Sequence, residues 1–209
     1  YAAIHALKIA DAFCKTDKKA NVLIVCTELC TLHFQKEHTI DNMTSSMLFS
    51  DGAAAVLVSG NNDQKGLCID QFYSTVAVKG KKDMAWELSS KGFLMTLSGY
   101  IPELIEEDFN SLVTKAVAAA GLRKEDITQW CIHPGGKKIL EAAHKSLGFT
   151  NGQLDNCYAV LKEYGNMSSP TVLFVLEKIM KALENKEQDK IFGAAFGPGI
   201  TMETFILSA

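Results

Sequence analysis

The 209-residue chain predicts an α/β fold made of two related halves, the first of them incomplete. Three observations carry the prediction. Apolar runs of strand length alternate with amphipathic runs of helix length. The order helix, apolar strand, connection, strand occurs in residues 1–60 and again in residues 166–209. Turn-forming clusters, NNDQKG at 61–66 and Gly197-Pro198-Gly199, punctuate the runs.

Each element follows from its own pattern. Residues 1–14 space Ile4, Leu7, Ile9, Ala10 and Phe13 as a helix does, and no cap precedes them. ANVLIVCTE (20–28) is an apolar run, which predicts a strand buried on both faces. LHFQKEHTIDNMTSS (32–46) is polar and reads as a loop. FSDGAAAVLVSG (49–60) turns at Asp51-Gly52 and enters a second buried strand. The turn at 61–66 divides the chain into 1–60, the remnant of a first half, and 61–209, a second half. GLCIDQFYSTVAV (66–78) predicts a longer strand, and GKKDMAWELSSKGF (80–93) reads as irregular.

Pro102 opens a helix whose stripe runs from Leu104 through Ile105, Phe109, Leu112, Val113 and Ala116 to Ala120, with Gly121 as its stop. DITQWCIH (126–133) is a strand and KKILEAAHKSLGF (137–149) a helix with Ile139, Leu140, Ala143 and Leu147 inward. Pro170 begins another helix, with Ser168 and Ser169 placed to cap it. DKIFGAAFGPGITMETFILSA (189–209) supplies two strands around Gly197-Pro198-Gly199.

Composition narrows the function classes. Apolar residues make up 47%, charged residues 22%, and the net charge is −3 with both signs scattered, so nothing favours nucleic acid. No apolar run is long enough for a membrane span, and the opening lacks the basic start and cleavage site of a signal peptide. The six cysteines, Cys14, Cys26, Cys30, Cys68, Cys131 and Cys157, sit mostly in apolar surroundings, which predicts reduced thiols and a cytoplasmic location. Cys26 and Cys30 have no second pair at metal spacing, so no metal site is expected.

Two stretches carry chemistry. In ITQWCIHPGG an apolar strand ends on His133, and Pro134-Gly135-Gly136 stop it at once. Ligands of open α/β sheets gather beyond the carboxyl ends of strands. A histidine there serves as a general base or ion-pair cation, or as a satisfied core residue. In EYGNMSSPTVLF, Asn166 follows a turn and precedes a helix. It either caps that helix or aims its amide N–H at developing negative charge. Ser168 is a cap or a pocket wall.

WCIHPGG, EYGNMSSPTVLFVL, LFSDGAAAVLV and FGPGITMETFIL, in this order and spacing, resemble the type III polyketide synthases, the chalcone and stilbene synthase family. Ala195 departs from the family's GFGPG motif. The resemblance implies a thiolase-like layered fold, with mixed sheets covered by helices, in a homodimer. It implies decarboxylative condensation of malonyl-CoA with an acyl-CoA starter, without a cofactor. It also implies a Cys-His-Asn triad in which His133 and Asn166 match the last two members. The family's cysteine falls immediately before Tyr1, so the chain is expected to be the downstream part of a longer enzyme and inactive alone.

Phe49 matches an aromatic gatekeeper. Met95, Trp86, Cys30 and His33 fall at pocket positions usually held by other residues, Trp86 either filling the cavity or turned outward. Lys137 and Lys138 read as a solvated helix face or as help at a tunnel mouth. Two other readings stay open: a non-catalytic thiolase-fold partner subunit, and an initiating β-ketoacyl synthase of the fatty-acid type.

Overall fold

The computed structural model describes residues 1–61, 66–76, 84–90, 92–97, 99–150, 152–183 and 189–209; for Trp86, Glu87, Phe93, Thr96 and Leu97 it describes the backbone alone. Helix α1 (Ala2–Thr16) turns Ala3, Ile4, Leu7 and Ala10 inward. It packs on β1 (Asn21–Glu28) and β2 (Gly52–Ser59), an antiparallel pair that sets Glu28 opposite Gly52.

The two strands are not buried on both faces. Their residues alternate, and Leu23 and Val25 are 65% and 63% exposed. A run of apolar residues signals two covered faces. Here α1 and helix α6 (Ser169–Ala182) pack on the pair, and the face bearing Leu23, Val25 and Leu57 stays open.

The segment read as a loop contains a 3-10 turn, Cys30–His33, and helix α2 (Ile40–Leu48), capped by the Thr39 hydroxyl on the Asn42 N–H at 3.2 Å. Apart from half-buried Leu48, its apolar residues point outward: Ile40 is 83% and Met47 81% exposed. No inward apolar stripe marks this helix, so its period is invisible to a search for a core-facing face.

The expected strand at 66–78 is β3 (Cys68–Val76); Ala77 and Val78 lie outside the described residues, as do 62–65 of the dividing turn. Where the sequence reads as irregular, β4 (Met84–Ser89) and β5 (Gly92–Leu97) form an antiparallel hairpin with Trp86 opposite Met95.

Helix α3 (Ile101–Ala119) buries Ile105, Phe109, Leu112 and Val113 and packs against α4 (Lys137–Leu147). A ten-residue helix, α5 (Asp155–Tyr164), has no counterpart among the expected elements. Strands β6 (Gln129–Ile132), β7 (Lys190–Gly197) and β8 (Thr201–Ser208) join β3 in a mixed sheet of order β3-β8-β7-β6, parallel only between β6 and β7. The core lies between this sheet and its helices, around Phe109, Phe192 and Phe205. Gly193 is required there, because a Cβ would fall 2.0 Å from Phe205 Cζ.

Ser168 and Ser169 do not cap α6 with their side chains. Ser168 takes φ 59°, ψ −121°, a strained conformation for a residue with a side chain. The Ser169 hydroxyl is committed elsewhere, as the site makes clear.

Candidate active site

The β6–β7 ladder delivers His133. Ile132 pairs with Ala194, and the His133 N–H donates to the Ala194 carbonyl at 2.8 Å. Pro134 cannot donate, so the ladder stops there. The Gly135 N–H turns back onto the His133 carbonyl at 2.9 Å. The ring is 7% exposed, and its Nδ1 is buried without a hydrogen-bond partner among the described residues.

Asn166 arrives from a different place. It forms a parallel bridge with Phe49, its N–H donates to the Leu48 carbonyl at 3.1 Å, and its carbonyl accepts from the Ser50 N–H at 2.9 Å. Its side chain reaches the histidine loop: Nδ2 donates to the Gly135 carbonyl at 3.1 Å, while Oδ1 accepts from the Ser168 N–H at 2.9 Å. The carboxamide is thereby oriented, and among the described residues Nδ2 makes this one hydrogen bond.

His133 and Asn166 line one cavity of about 360 Å³, together with Tyr1 and Ala2, Gly135, Ser168 and Ser169, and Phe196-Gly197-Pro198. The starts of α1 and α6 therefore meet at one place, as the internal echo anticipates. Each contributes the positive end of a helix dipole. Gly197 lies under the Tyr1 ring, where a Cβ would come 2.4 Å from Cδ1.

Burial lowers His133 to about 3, so the imidazole is neutral.

A second cavity, of about 390 Å³, adjoins the first and shares Glu28, Phe49, Met95 and Ser168 with it. Cys30 and His33 line the second cavity only. Phe49, Met95 and Ser168 thus stand between the two spaces. The backbone places Trp86 beside Met95; its side chain lies outside the described residues. Lys137 and Lys138 line neither cavity, and Lys137 pairs with Glu141 at 3.5 Å on an exposed helix face.

Sequence reasoning missed Glu28. Its carboxylate lines both cavities and accepts from the Ser169 hydroxyl at 2.5 Å and the Ser169 N–H at 3.3 Å. The signal was the same as for His133: an ionisable residue ending an apolar strand. No cysteine lines the cavity of His133 and Asn166. In the adjoining cavity, burial and then Glu28 and Asp51 raise Cys30 to about 11. Among the described residues no cluster of His, Cys, Asp and Glu is arranged to hold a metal, and no helix is long and apolar enough to cross a membrane.

Residues 71–209 match the family described as chalcone and stilbene synthases, C-terminal domain, and residues 1–75 match 3-oxoacyl-[acyl-carrier-protein] synthase III. A putative chalcone synthase of Bacillus subtilis is 32% identical over 207 residues, 95% of this chain and 57% of that protein. The crystal structure of PKS-I from the brown alga Ectocarpus siliculosus superposes with a TM-score of 0.92 at 28% identity, over 99% of this chain and 57% of that one. The 1,3,6,8-tetrahydroxynaphthalene synthase of Streptomyces coelicolor, a bacterial type III polyketide synthase, gives 0.92 at 27%, over 99% and 59%. The chain thus spans somewhat more than half the length of these relatives, and it shares their mixed α/β, thiolase-like fold over that length.

Proposed function

The chain belongs to the chalcone and stilbene synthase family, the type III polyketide synthases, and from that premise we propose that it carries the His–Asn part of a decarboxylative condensing centre. The family uses CoA thioesters. The observation that supports the reading best is the hydrogen bond from Asn166 Nδ2 to the Gly135 carbonyl, 3.1 Å long. It couples the carboxamide to the loop that carries the imidazole.

The reaction uses these groups as follows. A cysteine preceding Tyr1 is the nucleophile, at the start of α1, where the helix dipole favours a thiolate. Neutral His133 takes the thiol proton, and the resulting ion pair attacks an acyl-CoA starter and expels CoA. Malonyl-CoA then loses CO₂. His133 and the Asn166 Nδ2–H hydrogen-bond the thioester oxygen of the enolate that forms. The enolate carbon attacks the cysteine-bound acyl carbonyl, a carbon–carbon bond forms, and the cysteine leaves as thiolate.

Residues 1–60 act as the end of a first thiolase half and 61–209 as the second. Without the thiol, residues 1–209 alone are inactive. The whole protein is a cytoplasmic homodimer needing no cofactor, with exposed Ile40 and Met47 on α2 available to a second copy. An initiating β-ketoacyl synthase is the second reading, favoured by the match over residues 1–75.

The test is CO₂ release from malonyl-CoA by the full-length protein. His133→Ala and Asn166→Ala should each lower it about 10²–10³-fold with the fold intact. Release unaffected by both variants would overturn the reading. Release from malonyl carrier protein alone would select the initiating synthase. No release by a folded full-length protein would select a non-catalytic partner subunit.

A further inference from the structure

Among the described residues two acidic or basic side chains are buried, His133 at 7% and Glu203 at 3% exposure. Condensation uses the imidazole; the carboxylate lines neither cavity. Burying a carboxylate is unfavourable unless it is hydrogen-bonded. An apolar residue of similar volume often holds helix to sheet as firmly. What a paired carboxylate adds is direction.

The two oxygens of Glu203 face different elements. Oε2 accepts from the Ser74 hydroxyl of β3 at 2.5 Å, and Oε1 lies 3.0 Å from His5 Nε2 on α1. Ser74, Glu203 and Ala195 form one row across β3, β8 and β7. Lys8, three residues beyond His5 on the same side of α1, donates to the Ser74 hydroxyl at 3.4 Å. The row therefore holds α1 at two points. One position back along β7, the Ala194 carbonyl accepts the His133 N–H at 2.8 Å. His5 lies one turn into α1, with its N–H on the Tyr1 carbonyl at 3.2 Å and its ring against the Tyr1 ring. A continuous path thus joins the imidazole to the helix start: His133, Ala194, Ala195, Glu203, His5, Tyr1. A hydrogen-bonded helix turns as a body, so rotating His5 away from Glu203 turns Tyr1 with it.

We propose that Glu203 is a positioning residue, which through His5 sets the rotation of α1 so that the helix start faces His133 and Asn166. The proposal rests on the condensing reading above, in which the nucleophile precedes Tyr1. Glu203 touches no substrate; it keeps the thiol within reach of the imidazole.

The experiment uses the full-length protein with Glu203→Leu, Glu203→Gln and His5→Phe. The phenylalanine keeps a ring against Tyr1 and removes only the nitrogen. The glutamine oxygen still accepts from His5, and its N–H₂ can donate to Ser74. Displacing a reacting group by an ångström is costly, so Glu203→Leu and His5→Phe should lower kcat for CO₂ release about 10–100-fold. KM for malonyl-CoA should stay within about twofold, because the substrate contacts are intact. Glu203→Gln should recover most of the native kcat, which a role in stability alone does not predict. Native kcat in His5→Phe, or a Glu203→Gln protein as slow as Glu203→Leu, would overturn the proposal. If Glu203→Leu does not fold, His5→Phe at an exposed position makes the comparison with Glu203→Gln. Absence of CO₂ release by the folded native protein would sink the condensing reading instead. Amide hydrogen exchange at Ile4 and His5 then still tests the clamp: faster exchange in His5→Phe than in the native protein upholds it, and equal exchange overturns it.

Discussion

The ring of Tyr1 lies on Gly197, so closely that a Cβ at residue 197 would approach Tyr1 Cδ1 to 2.4 Å and Cγ to 2.6 Å. The first residue of the α1 turn and the last residue of β7 are thus fitted without room for one methyl group. Tyr1 is fixed on its other side by the His5 ring, edge-on at 5.3 Å, and His5 pairs with buried Glu203 at 3.0 Å. Gly197→Ala should therefore displace the start of α1 and destabilise the protein by about 1–3 kcal/mol. Denaturant unfolding checks the stability. Condensing activity should fall further than the fraction unfolded accounts for.

His133 sets a pH dependence. Its folded pKa, about 3, lies below its ordinary value of 6.5. Between those values the unfolded chain binds a proton that the folded chain refuses, so stability rises with pH through this window and levels off above it. Acidification from pH 6.5 toward 3 should lower the melting temperature. His133→Gln, which cannot titrate, should flatten this part of the curve. An unchanged slope in the variant would assign the dependence to other groups.

Glu28 and Ser169 join β1 to the start of α6 through the 2.5 Å hydroxyl–carboxylate bond. Ser169→Ala leaves the carboxylate with the weaker 3.3 Å contact to the backbone N–H alone. The expected loss is about 1–3 kcal/mol. A double-mutant cycle with Glu28→Gln should return a coupling energy well above zero, and additive single effects would show that the bond contributes nothing.

Thiol reactivity should follow burial. Cys68 is exposed, whereas Cys131 and Cys157 are inaccessible, burial holding Cys131 well above the ordinary thiol range and Cys157 at about 12. Alkylation followed by mass spectrometry should label Cys68 first, and Cys131 and Cys157 only on unfolding.

Elements that bury an apolar stripe were legible in the sequence, as α3 and its Pro102 start show, and so were the strands that frame Gly197-Pro198-Gly199. What escaped did so for physical reasons. Helix α2 faces a cavity with polar residues, so its stripe is reversed. Helix α5 buries only Cys157 and Val160, too few for a period. The β4–β5 hairpin carries no alternation strong enough to separate it from a loop. Within the site, His133 and Asn166 were marked by their places at a strand end and a helix start. Glu28 stood at an equivalent strand end, yet nothing in the order of residues told that Ser169, 141 positions away, would complete it.

The bridge between Phe49 and Asn166 spans 117 positions of the chain. Contacts of such long range close late in folding and open early under stress. In a urea titration, then, substrate turnover should vanish at concentrations where the far-ultraviolet circular dichroism is still that of the native protein.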